Sequence, residues 1–169
     1  FFYKIPGTER QMISNPLKWF ISGLYDGGSE ESIFDKSEDI ENIPVQEWVN
    51  HYRGQEGFIR NLDSHRGWID WRFSGIDPDI NSGNFTGKSM YAGSIIESSA
   101  TKRMNLRLYY DDWISCWING EKLGTWKSKG VFETVNIPIQ LKEGENSLML
   151  KSNNIGHHWN PWISSVVLE

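Results

Sequence analysis

Arg103-Met104-Asn105-Leu106-Arg107-Leu108-Tyr109-Tyr110-Asp111-Asp112-Trp113-Ile114-Ser115-Cys116-Trp117-Ile118-Asn119-Gly120 carries the pattern that decides the fold. Successive side chains of a β-strand point to opposite faces, so Met104, Leu106, Leu108 and Tyr110 share one face of a first strand. Asp111-Asp112 breaks that run. Ile114, Cys116 and Ile118 then fall together on a second strand, and Trp113, Ser115 and Trp117 fall on its other face. Asn119-Gly120 closes the stretch with the residues that a type I′ hairpin turn requires, because both central positions need positive φ. The stretch therefore predicts antiparallel β-structure.

The same grammar extends in both directions. Leu17–Leu24 is a short apolar run that ends at Asp26-Gly27-Gly28, a strand entering a turn. Trp68–Phe73 alternates, with Ile69, Trp71 and Phe73 on a core face and Trp68, Asp70 and Arg72 on the other. Ser89–Ile96, Val131–Ile139, Ser147–Lys151 and Trp162–Leu168 also read as strands, and Gly57–Leu62 looks extended. Gly75–Gly87 and Lys142–Asn146 are turn-rich. Val45–Tyr52 fits a short helix or a strand equally well, since periodicity alone cannot separate them. The acidic stretch Ser29–Asn42 reads as solvated loop, because blocks of like charge usually face water. About eight to ten short strands with regular turn signals predict an all-β, two-sheet antiparallel β-sandwich, a jelly roll. Residues 17–169 form a single module, residues 1–16 form an arm packed across it, and no repeat or linker divides the chain.

Composition removes several function classes. The 169 residues hold 16 Gly and 6 Pro, too much punctuation for a helical bundle. A net charge of −5 is the wrong sign for phosphate backbones, so neither nucleic acid nor an anionic membrane is an expected partner. No apolar run reaches the roughly 18 residues of a membrane span. A single cysteine, Cys116, lies in an apolar run and reads as a buried, inert thiol. The opening Phe1-Phe2-Tyr3-Lys4 suggests a module excised from a larger protein.

Nine Trp residues and 14% aromatics in a chain of mean hydropathy −0.53 exceed what one core of this size needs, which points to a contact surface. Sugars offer apolar C–H faces to aromatic rings and paired hydroxyls to planar polar groups, so sugar sites combine the two. Three groups qualify. The C-terminal loop brings His157, His158, Trp159, Asn160 and Trp162 together, with Trp162 alternatively plugging one end of the sandwich. Adjacent His157 and His158 point apart on extended chain and are poor partners for one metal ion. The outward row Trp68, Asp70 and Arg72 forms a sugar platform, or else a covered face with Asp70 paired to Arg72. Trp113 contributes to a comparable outward row on its own strand. Catalysis by the chain is not expected: carboxylates cluster in turns and loops, and there is no nucleophile elbow, zinc helix or phosphate loop.

Three segments in order resemble a known group. They are Trp19–Tyr25 with Phe34-Asp35, the Tyr109–Gly120 element with its Asp-Asp and Trp-x-Asn-Gly hairpin, and Leu141–Lys151 with its L-K-x-G-x-N-x-L spacing. Together they resemble the galactose-binding-like jelly-roll modules of secreted bacterial polysaccharide-degrading enzymes, and more distantly lectin domains of the PA14 type. The resemblance implies an extracellular or cell-surface, non-catalytic carbohydrate-binding module that needs no cofactor and neighbours a catalytic domain in a longer chain. A structural domain packed on that catalytic domain is the alternative. In PA14-type lectins an Asp-Asp pair holds a calcium ion, which makes Asp111 and Asp112 candidate ligands for Ca²⁺; in the jelly-roll modules the pair is structural. Trp113 stands where those families often carry Gly, and Trp117 is implied to pack under a neighbouring loop.

Overall fold

Alternating strands with one apolar face must bury that face against a second sheet, and the chain does so. The computed structural model describes residues 18–22, 25–28, 30–51, 62–63, 68–71, 85–128, 131–155 and 162–169. In chain order the elements are β1 (Lys18–Ile21), β2 (Tyr25–Asp26), α1 (Glu31–Phe34), a 3-10 turn (Asp39–Asn42), α2 (Val45–His51), β3 (Leu62–Asp63) and β4 (Trp68–Asp70). There follow β5 (Lys88–Ser98), β6 (Lys102–Tyr110), β7 (Trp113–Ile118), β8 (Glu121–Lys127), β9 (Glu133–Leu141), β10 (Gly144–Asn154) and β11 (Ile163–Leu168). One sheet runs β3-β1-β5-β10-β7-β8, with β2 pairing β5 further along the edge that β1 uses. The other runs β4-β11-β6-β9, and every pairing in both sheets is antiparallel. The two-sheet antiparallel β-sandwich is thus the observed fold. The expected arm, residues 1–16, lies outside the described residues.

Between the sheets lies the main core. Met90, Ala92 and Ile96 from β5, Ile114, Cys116 and Ile118 from β7, and Leu148 and Leu150 from β10 meet Leu106, Leu108, Ile137, Ile139 and Val166. The alternation of the 103–120 stretch is realised residue by residue, and Asn119 (φ 51°) with Gly120 (φ 80°) makes the expected hairpin turn. Burial pushes the Cys116 thiol up to about 12, so it is inert. The hairpin's return arm, β8, has a register shift at Cys116/Trp117 and was not among the expected strands.

A second core lies on the outer face of the larger sheet. Here the solvated-loop expectation for residues 29–42 is corrected: the segment folds as α1, the 3-10 turn and the lead into α2, and buries Phe34 and Ile40. Val45 and Trp48, one turn apart on α2, add to it, which resolves Val45–Tyr52 in favour of a helix over Val45–His51. Beneath this cap lie the outward residues Tyr91, Trp117 and Met149. Gly93 lets the cap sit close, since a Cβ there would come within 2.7 Å of Val45 and 2.9 Å of the Trp48 ring.

Asn146 explains the L-K-x-G-x-N segment. Its Nδ2 donates to the carbonyls of Lys142 and Gly144, at 2.9 and 3.0 Å, while its Oδ1 accepts from Lys142 N–H and Asn119 Nδ2. One buried side chain therefore joins the β9–β10 turn to the β7–β8 hairpin. Asn146→Ala leaves those groups unpaired and is expected to cost at least ~1–3 kcal/mol, read as a lower urea midpoint with unchanged slope. A midpoint equal to wild type would show that the staple adds nothing.

Candidate functional site

The corner between β6 and β7 places Asp111 and Asp112 at one end of the sandwich. Asp112 Oδ2 accepts the Ile155 N–H at 2.8 Å, and its carbonyl accepts Ser128 N–H at 3.0 Å. Neighbouring loops knit to the same end: Gly87 N–H donates to Asn154, and Asn153 Nδ2 donates to the Gly28 carbonyl. Asp111 and Asp112 are both buried, and Asp111 Oδ1 has no hydrogen-bond partner among the described residues. Burial, then the hydrogen bond and charge of Asp112, raises the Asp111 carboxyl to about 7. Two buried carboxyl groups side by side are costly to charge together, and a hard divalent cation offsets that cost with oxygen ligands. The pair thus suits Ca²⁺ by donor type, although no group of three or more His, Cys, Asp or Glu side chains converges among the described residues. Any further ligands are carbonyls, amides, water or residues outside that set.

Trp162 and Trp113 require correction as exposed ligand-binding residues. Trp162 is fully buried: its ring stacks on Trp71 at 6.0 Å and 24°, meets Phe85 at 6.0 Å, and its Nε1 donates to Ser152 Oγ at 2.8 Å. It plugs one end of the sandwich, the other reading of that residue. Trp113 does face away from the main core, but Phe34 lies over it at 5.6 Å and Lys127 Nζ at 5.3 Å, so the cap covers it. Trp117 is covered in the same way, as expected. Trp126 is half-buried, its ring across Gly124.

Trp68 and Asp70 sit on β4, opposite Ser165 and Ile163 of β11, and their side chains lie outside the described residues. Arg72, His157, His158, Trp159 and Asn160 lie wholly outside them. Ser165 also pairs with Tyr109 of β6, so Trp68 and Tyr109 hold matching register positions on either side of β11. Sequence reading missed what flanks Tyr109. Tyr109 and Phe132 stack at 6.1 Å and 15°, with Phe132 42% exposed, and Arg107 donates nearby to Asn136 Oδ1 and Glu169 Oε2. The alternation of β6 places Tyr109 and Arg107 outward, but only the register brings Phe132 beside them.

Lys151 was also missed. Its ammonium is buried under the cap, donating at 2.7 Å to the carbonyls of both Phe34 and Lys36, with Glu41 at 3.6 Å and the rings of Phe34 and Tyr91 within 5.5 Å. Burial lowers its pKa, and Glu41 and Glu38 oppose that shift. The signal available was that Met149 and Lys151 alternate outward from Leu148 and Leu150.

No family model matches the chain, and no characterised protein sequence does. Solved structures do. A β-glucosidase from Kluyveromyces marxianus, in complex with glucose, is 9% identical over 89% of this chain and 16% of its own, with a TM-score of 0.52. A family 35 carbohydrate-binding module from Clostridium thermocellum is 14% identical over 47% of this chain and 68% of its own, with a TM-score of 0.35. A GH26-CBM35 β-(1,4)-mannanase from Podospora anserina is 17% identical over 50% and 19%, with a TM-score of 0.36. The chain therefore spans a small part of the two enzymes, and what it shares with the β-glucosidase is a β-sandwich fold.

Proposed function

We propose that this chain is a non-catalytic carbohydrate-binding module whose principal site is the Asp111–Asp112 end of the sandwich, where the two aspartates would hold Ca²⁺ and the ion would supply a Lewis-acidic contact for sugar hydroxyls. The observation that supports it most is the buried acidic pair, with one Asp111 oxygen unmatched by any hydrogen-bond donor among the described residues. Asp112 is engaged by the Ile155 N–H, whereas Asp111 Oδ1 has no donor among the described residues and is left for a cation or ligand. His157, His158, Trp159 and Asn160 follow Ile155 in the sequence, and the Ile155 N–H is fixed to Asp112, so that segment leaves the described residues beside the pair. Trp68, Asp70 and Arg72, with Tyr109 and Phe132, supply a second stretch of surface for a longer glycan. The structural neighbours, carbohydrate-binding modules and glycosidases among them, agree with a sugar ligand and with a catalytic domain elsewhere in a longer, secreted or surface-held polypeptide.

Retention on insoluble and soluble polysaccharides, with Ca²⁺ and with a chelator, tests this directly. Calcium at a hundredfold its dissociation constant should add about 2.7 kcal/mol to unfolding stability. Asp111→Asn should abolish that gain together with calcium-dependent retention. Equal retention with chelator, or no calcium effect on the midpoint, sinks the role assigned to the pair; no retention on a broad glycan panel sinks the sugar reading.

One observation favours the alternative, an ancillary domain that packs on a catalytic partner. Val131, Phe132 and Val167 are exposed at 57%, 42% and 40%. Phe132 and Val167 reach the outer face of the smaller sheet, where an apolar partner surface would cover them.

A further inference from the structure

At the far end of β7 from the aspartates, roughly 20 Å along the strand, a cavity of about 350 Å³ opens between the cap and two turns. One wall is the chain from Glu41 to Gln46, the other is Asn119-Gly120 with Lys142 and Glu145, and Trp117, Met149 and Val45 form the apolar part of the lining. Its volume lies at the lower end of small-ligand sites, about 300–1,000 Å³, which admits one or two sugar rings.

Which polar groups remain uncommitted decides the ligand class. Asn119 and Glu41 are occupied: Asn119 bonds Asn146 and the Ser147 N–H, while Glu41 accepts from Tyr91 and Ser37. They make the walls rigid. Asn42, Gln46, Lys142, Glu145 and Ser147 all line the cavity, and their side chains have no hydrogen-bond or ion-pair partner among the described residues. A rim holding two amides, a hydroxyl, one ammonium and one carboxylate presents donors and acceptors in balance with little net charge. That composition rejects a strongly charged ligand and leaves too many polar groups unpaired for an apolar one. Trp117 and Met149, each 5% exposed, show only an edge at the cavity floor for the C–H groups of a ligand, and its hydroxyls would reach the rim.

We infer that this cavity is a second, metal-independent binding site for a neutral mono- or disaccharide unit. It is separate from the aspartate end, and it rests on the proposed function only in sharing a ligand class.

The experiment titrates the intact chain with cellobiose, xylobiose, mannobiose, galactobiose and maltose in excess EDTA, reading tryptophan fluorescence and NMR shifts of the amides of Gln46, Gly120 and Glu145. At least one sugar should bind saturably at millimolar concentration. Affinity should fall tenfold or more in Glu145→Gln/Gln46→Ala and stay unchanged in Asp111→Asn. Both changed side chains stand at the rim rather than in a core, so an unchanged urea midpoint separates lost binding from lost folding. Failure of all five sugars to bind in EDTA overturns the inference, as does binding that survives the double substitution or vanishes in Asp111→Asn. None of these outcomes bears on calcium at the aspartates, whose test is the midpoint shift with Ca²⁺.

Discussion

Lys151→Met should cost about 3–5 kcal/mol and release the cap, residues 30–48, from the larger sheet before the sandwich itself opens. The ammonium is the only charge among the described residues reaching from beneath the cap to the Phe34 and Lys36 carbonyls, and methionine keeps most of its stem but none of its donors. The buried Phe34 carbonyl and the part-buried Lys36 carbonyl then lose their donor, and Glu41 loses its nearest cation while still accepting the Tyr91 hydroxyl. Hydrogen exchange separates this from a uniform weakening. Amides of α2 should exchange faster in the variant by more than those of β6 and β9, which belong to the other sheet. A double change, Lys151→Met with Glu41→Gln, should recover part of the loss, because the stranded carboxylate is removed as well. A midpoint within about 0.5 kcal/mol of wild type would show that the apolar contacts of Phe34, Ile40, Val45 and Trp48 hold the cap by themselves.

The cap also marks where sequence reading stopped. Alternation over 103–118 needs only neighbours two residues apart, so the faces of β6 and β7 were legible, and Asn119-Gly120 gave the turn through its positive φ. Alternation says which way a side chain points from its strand, but not what covers it there. Trp113 and Trp117 were correctly placed away from the main core; both are buried because residues 30–48 lie over them. That segment was hidden by its own composition. Its buried residues, Phe34, Ile40, Val45 and Trp48, are spaced six, five and three apart, which matches neither a strand nor a continuous helix; of the acidic residues between them Asp35 and Asp39 face outward, while Glu41 turns in to Tyr91 and Lys151. The tryptophan excess follows from the same fact. Among the described residues, Trp19, Trp71 and Trp162 fill the main core, Trp48 and Trp117 fill the second, and Trp113 is buried under Phe34. Of the aspartate pair, the sequence showed the position between two strands but not the burial, nor that Ile155 and Ser128, distant in sequence, donate to Asp112.

Trp162→Ala is expected to be the most damaging single change among the tryptophans of that end, at about 3–5 kcal/mol. The ring is fully buried between Trp71 and Phe85, and its removal opens a cavity that the strand termini around it cannot collapse into without breaking the Trp71 N–H bond to the Trp162 carbonyl. It also leaves Ser152 Oγ without its indole donor inside the sandwich. Trp162→Phe separates the two effects: most of the apolar area returns, and the residual loss of about 1–2 kcal/mol is the unmade hydrogen bond with a smaller void. The measurement is paired, the urea midpoint on one hand and polysaccharide retention at saturating Ca²⁺ on the other. A residue that stacks on sugar would lose retention and keep its midpoint. A plug does the reverse in Trp162→Phe, with a lower midpoint and retention intact while the protein is folded. Because Trp162 follows directly on residues 156–161, this variant also tells whether Trp159 and Asn160 act in binding through their own contacts or through the strand that follows them. If retention survives Trp162→Phe but fails in Trp159→Ala with an unchanged midpoint, recognition resides in residues 156–161 and the buried tryptophan only fixes where that segment ends.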